Sequence, residues 1–289
     1  MKPSRSEFLD VRGLRYHCRC WGREGAPAMF LLHGWMDVSA SFQFLVDAFE
    51  GDWRVIAPDW RGFGMTQWSG TDSYWFPDYL ADLERLLMHF SPDAPTRIVG
   101  HSMGGNVACL YAGVRPERVA KLVNLEGFGM VPHAPENAPK RYARWLGELA
   151  DGSSLRDYES FDALAARLRK NNPRLSQERA RFLAEHWGEA TSGGSVRLRA
   201  DPAHKLINPV QYRLEESKAC WRAVTAPVLW IDGAQSETRT HLHIDDADYA
   251  ARKACFAVRE EHIVADAGHM LHHDQPERLA ALIESFMRR

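Results

Sequence analysis

The segment Ile98-Val99-Gly100-His101-Ser102-Met103-Gly104-Gly105 constrains this chain more than any other. An apolar run ends in Gly-x-Ser-x-Gly, and a helical pattern of small residues follows (Asn106, Val107, Ala108, Ala112). That order reads as strand, sharp turn and helix, the arrangement called a nucleophile elbow. Side chains at positions 100 and 104 would collide where strand and helix cross, so glycine is required there. The helix beginning at Met103 aims its free amides and positive dipole end at the Ser102 oxygen.

Other segments repeat the pattern of a buried strand running into a loop. Met29-Phe30-Leu31-Leu32 leads into His33-Gly34-Trp35-Met36-Asp37. Arg54-Val55-Ile56-Ala57-Pro58-Asp59 leads into Trp60-Arg61-Gly62-Phe63-Gly64. His262-Ile263-Val264-Ala265 leads into Asp266-Ala267-Gly268-His269. With these motifs the chain resembles the α/β-hydrolase superfamily over nearly its whole length. The Gly-Trp-x-Asp context at 34–37 is most similar to the cap-bearing serine-hydrolase-like proteins. The resemblance implies an α/β-hydrolase fold: a mostly parallel central sheet, helices on both faces, and an inserted helical cap. It also implies that His33-Gly34 begins the oxyanion-hole loop, that 59–64 is the family's Asp-x-Arg-Gly-x-Gly turn, and that 266–269 is the catalytic-histidine loop. Asp59 and Arg61 then tie the turn together.

The local patterns agree with that architecture. Residues 8–11 and 14–21 read as a hairpin around Arg12-Gly13. Residues 39–49 read as a helix with Ser39 as N-cap, and 73–90 as another, ended by Pro92 and Pro95. Residues 120–125 and 227–231 read as strands, and Leu271 to Met287 as the last helix, with His272 and His273 at its start. Strand and helix alternate, which argues for a parallel sheet covered on both faces. Between about 130 and 213 no strand-like run occurs. Helical stretches at roughly 137–150, 155–170 and 176–187 stand there instead. We therefore expect a core of 1–130 plus 214–289 and an all-helical cap of 131–213. Most of the cap's rings (Tyr142, Trp145, Tyr158, Phe161, Phe182, Trp187) should pack it onto the core, and a minority should line an apolar pocket above Ser102.

Composition limits the function classes. The 289 residues carry a net charge of −2, so nothing favours nucleic acid or an acidic membrane surface. No apolar run reaches the roughly 20 residues that span a bilayer. The first residues lack the apolar region of a signal peptide. The five cysteines are odd in number, without a Cys-x-x-Cys pair, and read as reduced and buried. The expected location is the cytoplasm, the expected partner a small-molecule substrate. Oligomeric state is not legible.

A serine hydroxyl needs a base to take its proton and an acid to orient that base. In this fold the order is Ser, acid, His. Ser102 is the nucleophile, and His269 the base, because it follows a strand and a glycine. The acid stays open. The family's usual Asp, after the seventh strand as Gly-x-x-Asp, is replaced by Ser236 in Gly233-Ala234-Gln235-Ser236, with Glu237 next. Glu126 ends the sixth strand in Val123-Asn124-Leu125-Glu126-Gly127, a place where haloalkane dehalogenases carry an acid. Glu126 is preferred over Glu237, with Asp232 a distant third. The backbone amides of Trp35 and Met103 form the expected oxyanion hole. Trp35, His33 and His101 are substrate-side candidates, although His33 also suits a loop anchor and the Trp35 ring could instead pack on the cap. His241-Leu242-His243-Ile244-Asp245 offers two imidazoles without a third ligand and reads as a surface loop, so no metal is expected there.

The implied activity is that of a cofactor-free serine hydrolase acting on carboxylic esters with an apolar part. Carbon–carbon bond hydrolysis of a diketone-like substrate uses the same triad. It would call for an arginine facing Ser102, with Arg141, Arg144 and Arg167 available. A third possibility is a triad-retaining ligand-binding protein with little turnover. Haloalkane and epoxide chemistry of this fold need an aspartate at position 102.

Overall fold

A computed structural model describes all residues, 1–289. Ten strands form in chain order: β1 (Ser4–Val11), β2 (Leu14–Trp21), β3 (Ala28–Leu32), β4 (Arg54–Pro58), β5 (Thr96–His101), β6 (Val119–Leu125), β7 (Gly188–Ala190), β8 (Val196–Leu198), β9 (Val228–Gly233) and β10 (Arg259–Val264). The α-helices are α1 (Gln43–Ala48), α2 (Phe76–Phe90), α3 (Met103–Val114), α4 (Ala138–Asp151), α5 (Phe161–Asn171), α6 (Gln177–Trp187), α7 (Leu214–Arg222), α8 (Thr238–His241), α9 (Asp246–Lys253), α10 (Leu271–Asp274) and α11 (Pro276–Arg288).

Eight strands make one sheet in the order β1-β2-β4-β3-β5-β6-β9-β10. β1 and β2 are an antiparallel hairpin, and β2 joins β4 antiparallel. All remaining pairs are parallel. Arg12 (φ 53°) and Gly13 (φ 79°) make the tight turn between β1 and β2, the left-handed pair that a two-residue hairpin requires.

The central strands are apolar throughout because both of their faces are buried. Alternate side chains enter different cores. Phe30, Leu32, Ile98, Leu122 and Trp230 pack with residues of α2, α3 and α7 on one face. Met29, Leu31, Val99, Val123 and Ile231 pack with α1 and α11 on the other. The final helical region is broken rather than continuous, because Pro276 cannot extend α10 and instead starts α11. Ser39 does not cap the helix that follows it. Its N–H bonds Asp59 Oδ1 at 2.6 Å, and Asp37 Oδ1 accepts from the Val38 N–H at 2.8 Å and from the Ser41 hydroxyl.

Residues 131–213 leave the sheet after β6 and return before α7. This segment carries α4, α5 and α6, as the helical periodicity indicates, but it is not all helix. Gly188–Ala190 and Val196–Leu198 pair as a short antiparallel ribbon, β7 with β8. The ribbon is only three residues a side, too short to show a period of two. Leu164, Leu168, Leu183, Ala184 and Val196 form a core of their own, which Phe44 joins from the sheet side. Trp187 Nε1 donates to Ser41 Oγ at 3.1 Å, and the Arg199 carbonyl accepts from Gly64 N–H at 2.8 Å. His204 lies between the rings of Phe63 and Tyr74, with centroids at 3.8 and 3.7 Å. Trp187 and Phe182, whose ring meets that of Phe44 at 5.4 Å, pack the segment down, whereas Tyr142 on α4 is exposed. No helix is long and apolar enough to cross a membrane. All five cysteines are free.

Candidate active site

Parallel strands end along one edge, so the loops after β3, β5, β6, β9 and β10 converge there. Ser102 follows β5 at φ 52° and ψ −116°, a conformation that costs a non-glycine residue roughly 1–3 kcal/mol. The surroundings enforce it. Ser102 N–H bonds the Leu125 carbonyl at 2.8 Å, and its own carbonyl accepts from Asn106 N–H at 2.9 Å. A Cβ at Gly100 would stand 2.5 Å from the Gly104 carbonyl oxygen, and one at Gly104 2.2 Å from that of Leu32. The two glycines let α3 cross this close to the sheet. The Ser102 side chain remains partly exposed and makes no hydrogen bond to His269 in this structure.

Glu126 follows β6, also with a positive φ (57°), and is buried at 2% exposure. Its Oε1 accepts from Gly233 N–H at 2.8 Å. Its Oε2 accepts from the Ser236 hydroxyl and lies 3.0 Å from His269 Nδ1. With Nδ1 facing Glu126, Nε2 is the ring nitrogen left for a second partner, and the imidazole is half-exposed. Three ties hold the His269 loop in place. Gly268 N–H donates to Asp274 Oδ2 at 2.9 Å, and Gln235 N–H to the Ala267 carbonyl at 2.9 Å. His101 Nε2 meets the His269 carbonyl at 2.8 Å.

Glu237 is exposed and makes no hydrogen bond to His269. The structure thus brings Glu126, not Glu237, to the histidine. Asp232 faces elsewhere, accepting from Trp230 Nε1 at 3.1 Å and from the Tyr249 hydroxyl. Burial raises its carboxyl to about 6, against the pull of the Tyr249 hydrogen bond. Sequence reasoning did not find Ser236 and Gly233 as partners of the acid. The available signal was Ser236 itself, standing at the third position after a strand-ending glycine where the family carries an acid.

The loop after β3 lies against the serine: a Cβ at Gly34 would be 3.2 Å from Ser102 Cβ. Met103 opens α3, so its N–H has no intrahelical acceptor. Met36 takes a positive φ of 55°. His33 is fully buried, with Nε2 accepting from Trp60 N–H at 2.9 Å and Nδ1 donating to the Gly34 carbonyl at 2.7 Å. Its Nδ1–H and Nε2 lone pair are both committed, so it anchors the loop and cannot serve as a substrate contact. His101 also fails as a substrate contact. It is buried beneath His269, and burial, with the nearby His272 and His269, holds it well below the ordinary imidazole range and therefore neutral. Trp35 is 53% exposed, so its ring is neither packed under the inserted segment nor shut away from an incoming molecule.

Asp59 and Arg61 are structural. Asp59 accepts from Ser39 and Met65 N–H groups and pairs with His17 at 2.7 Å, which together outweigh burial and hold it low. Arg61 makes two 2.6 Å bonds to buried Asp82. Of the three arginines available to face an anionic substrate, Arg141 donates to the Asn208 carbonyl, Arg144 pairs with Glu148 along α4, and Arg167 is exposed. His241 and His243 lie exposed on the surface.

Comparison with known proteins gives the same answer as the geometry. The model of a family described as alpha/beta hydrolase fold matches residues 27–276. A serine hydrolase-like protein of Danio rerio is 27% identical, over 99% of this chain and 90% of its own length. A 3-hydroxybutyrate-oligomer hydrolase of Cupriavidus necator is 28% identical over 75% of each chain. Among solved structures, the thioesterase domain from the curacin biosynthetic pathway superposes with a TM-score of 0.87 at 25% identity, covering 98% of this chain and 99% of its own. The strand order, the glycine-framed turn at Ser102 and the family match over residues 27–276 together place this chain in the α/β-hydrolase family.

Proposed function

We propose that this protein is a serine hydrolase that cleaves carboxylic esters carrying an apolar part, with Ser102, His269 and Glu126 as its triad and residues 131–213 as a cap over the site. The observation that carries the reading is the 3.0 Å approach of Glu126 Oε2 to His269 Nδ1, at the sheet edge where Ser102 stands on its turn. A carboxylate in this position orients the imidazole tautomer and stabilises the imidazolium that forms.

In this mechanism the Ser102 hydroxyl attacks the ester carbonyl carbon as its proton passes to His269 Nε2. The tetrahedral oxyanion is held by the Met103 and Trp35 amides, preorganised by the start of α3 and by the His33 anchor. His269 then gives the proton to the departing alkoxide, and the alcohol leaves. Water enters and gives a proton to His269 as its oxygen attacks the acyl-enzyme. Collapse releases the acid and restores the Ser102 hydroxyl. The residues present supply nucleophile, base, acid and oxyanion donors, so the cycle needs no cofactor.

Ester substrates are favoured over anionic diketones because Arg141 is held by the Asn208 carbonyl, Arg144 is paired with Glu148 and Arg167 is exposed to solvent. The oligomer hydrolase and the thioesterase among the relatives act, by their names, on acyl–oxygen and acyl–sulfur bonds, which fits acyl transfer through a serine. The test is the mass of the intact protein after incubation with a small fluorophosphonate, followed by turnover of a p-nitrophenyl ester series. One adduct on Ser102 and steady hydrolysis are expected. No adduct on the folded protein would sink the reading. An adduct without steady turnover would favour a ligand-binding role.

A further inference from the structure

Below the Ser102–His269 pair lies a second polar cluster that ester hydrolysis does not use. Asp37, His101 and His272 are each at most 2% exposed. One donor atom of each lies within 4.8 Å of the other two. They come from three separate places: the loop after β3, the end of β5 and the start of α10.

Two of the three side chains are anchored at one atom and free at another. Asp37 Oδ1 is taken by the Val38 N–H and the Ser41 hydroxyl, whereas Oδ2 has no hydrogen-bond partner in the protein. His101 Nε2 meets a carbonyl oxygen, so it must carry the proton, and its Nδ1 presents a bare lone pair without a protein partner. Neither nitrogen of His272 is hydrogen-bonded, and its Nε2 stands 3.7 Å from Asp37 Oδ2. Buried polar atoms without partners cost about 1–3 kcal/mol each, so a cluster of them points to a ligand.

Two imidazoles and a carboxylate are the donor set of a zinc-like cation. Bonds of about 2.0–2.2 Å in tetrahedral geometry put donor atoms about 3.4 Å apart. The 3.7 Å between Asp37 Oδ2 and His272 Nε2 is a few tenths of an ångström from that spacing. The His101 Nε2–H on a backbone carbonyl, and Asp37 Oδ1 on an amide and a hydroxyl, are the outer contacts that orient metal ligands.

We propose that Asp37, His101 and His272 bind a divalent transition metal of the zinc class, and that loading this ion inhibits the Ser102 site. The inhibition rests on the proposed function; the binding does not. His101 precedes Ser102 and holds the His269 carbonyl, and Asp37 follows Trp35 by two residues. Ligands drawn inward by the ion shift nucleophile, base and oxyanion loop together, and such sites tolerate displacements of only about 0.5 Å.

The experiment titrates the chelator-treated full chain with zinc against a chromogenic chelator, and with cobalt as a visible-absorbing probe. One zinc per chain is expected, retained in His269→Ala and weakened about 100-fold or more in His272→Gln. Intense tetrahedral cobalt absorption is expected from the wild-type chain. Where His272→Gln does not fold, Asp37→Asn and the wild-type cobalt spectrum carry the test. Absence of stoichiometric zinc, a weak octahedral-type spectrum, or binding lost in His269→Ala or His241→Ala instead would each overturn the site. Zinc should inhibit p-nitrophenyl ester hydrolysis with the binding midpoint, reversibly by chelator, and binding without inhibition would overturn the regulatory half. A protein with no esterase activity at all would refute the proposed function while leaving the binding readouts decisive.

Discussion

Ser236 donates its hydroxyl to Glu126 Oε2, the same oxygen that lies 3.0 Å from His269 Nδ1. The residue at the family's usual acid position has thus become a hydrogen-bond donor to an acid arriving from the neighbouring strand. β6 and β9 are adjacent and parallel, so the two loop positions face one another across a single strand spacing. The β9 loop thus meets the imidazole's partner rather than the imidazole itself.

Glu126→Gln should therefore lower kcat by about 10³–10⁴, because an amide cannot stabilise the imidazolium and can favour the wrong tautomer. Ser236→Ala removes one hydrogen bond to a charged group and should cost about tenfold. Glu237→Gln should stay within about twofold, as a surface change. Steady-state kinetics on one p-nitrophenyl ester checks all three. The double variant Glu126→Gln/Ser236→Asp should regain part of the lost rate. A Glu237→Gln loss as large as that of Glu126→Gln would assign the acid wrongly.

Gly104→Ala tests the elbow as a packing device. The new methyl would stand 2.2 Å from the Leu32 carbonyl oxygen, a backbone atom that cannot swing away. Destabilisation of about 2–4 kcal/mol is expected from overpacking. Urea denaturation at fixed pH measures it, and a midpoint equal to wild type would contradict the close crossing of α3 over β3.

The loop after β3 separates anchoring from substrate contact. His33→Ala leaves buried Trp60 N–H without its acceptor and opens a hole, so about 3 kcal/mol of stability should go, with a fall in kcat. Trp35→Ala removes a ring that is 53% exposed and should change stability by no more than about 0.5 kcal/mol. Its effect belongs in KM and in the preferred acyl or alcohol length. Thermal melts paired with ester-series kinetics distinguish the two variants.

Asp232 gives a pH signature. Burial raises it from the ordinary 3.8 to about 6. Between those values the folded chain keeps a proton that the unfolded chain has released. Stability contributed by this group therefore falls as pH rises through that window, by roughly 2–3 kcal/mol in full. Asp232→Asn lacks this titration. Its melting temperature relative to wild type should climb from pH 4 to pH 6.5. A difference that stays flat with pH would show that Asp232 is not held protonated.

The sequence by itself determined the fold class, the Ser102 turn and the position of His269 on the loop after β10, because each leaves a local mark. Gly100 and Gly104 are required by a strand–helix crossing within five residues, and His269 follows a strand and a glycine. Buried parallel strands read as unbroken apolar runs whatever surrounds them. The hairpin turn at Arg12-Gly13 and the three helices of the inserted segment are legible for the same reason.

Only the tertiary structure decided which carboxylate meets His269, because Glu126 and Glu237 lie on different strands and either loop could have supplied it. Only packing showed that His33 and His101 are buried anchors, since a histidine looks the same in sequence whether its nitrogens are committed to the backbone or open to solvent. The Asp37–His101–His272 cluster has no sequence spacing at all; it exists because the loop after β3, the end of β5 and the start of α10 lie side by side at one edge of the sheet. The His241–His243 pair, adjacent in sequence, stays on the surface and converges on nothing. Contacts made across strands leave no periodic trace, so the chemistry of this edge is visible only once the sheet has brought its loops together.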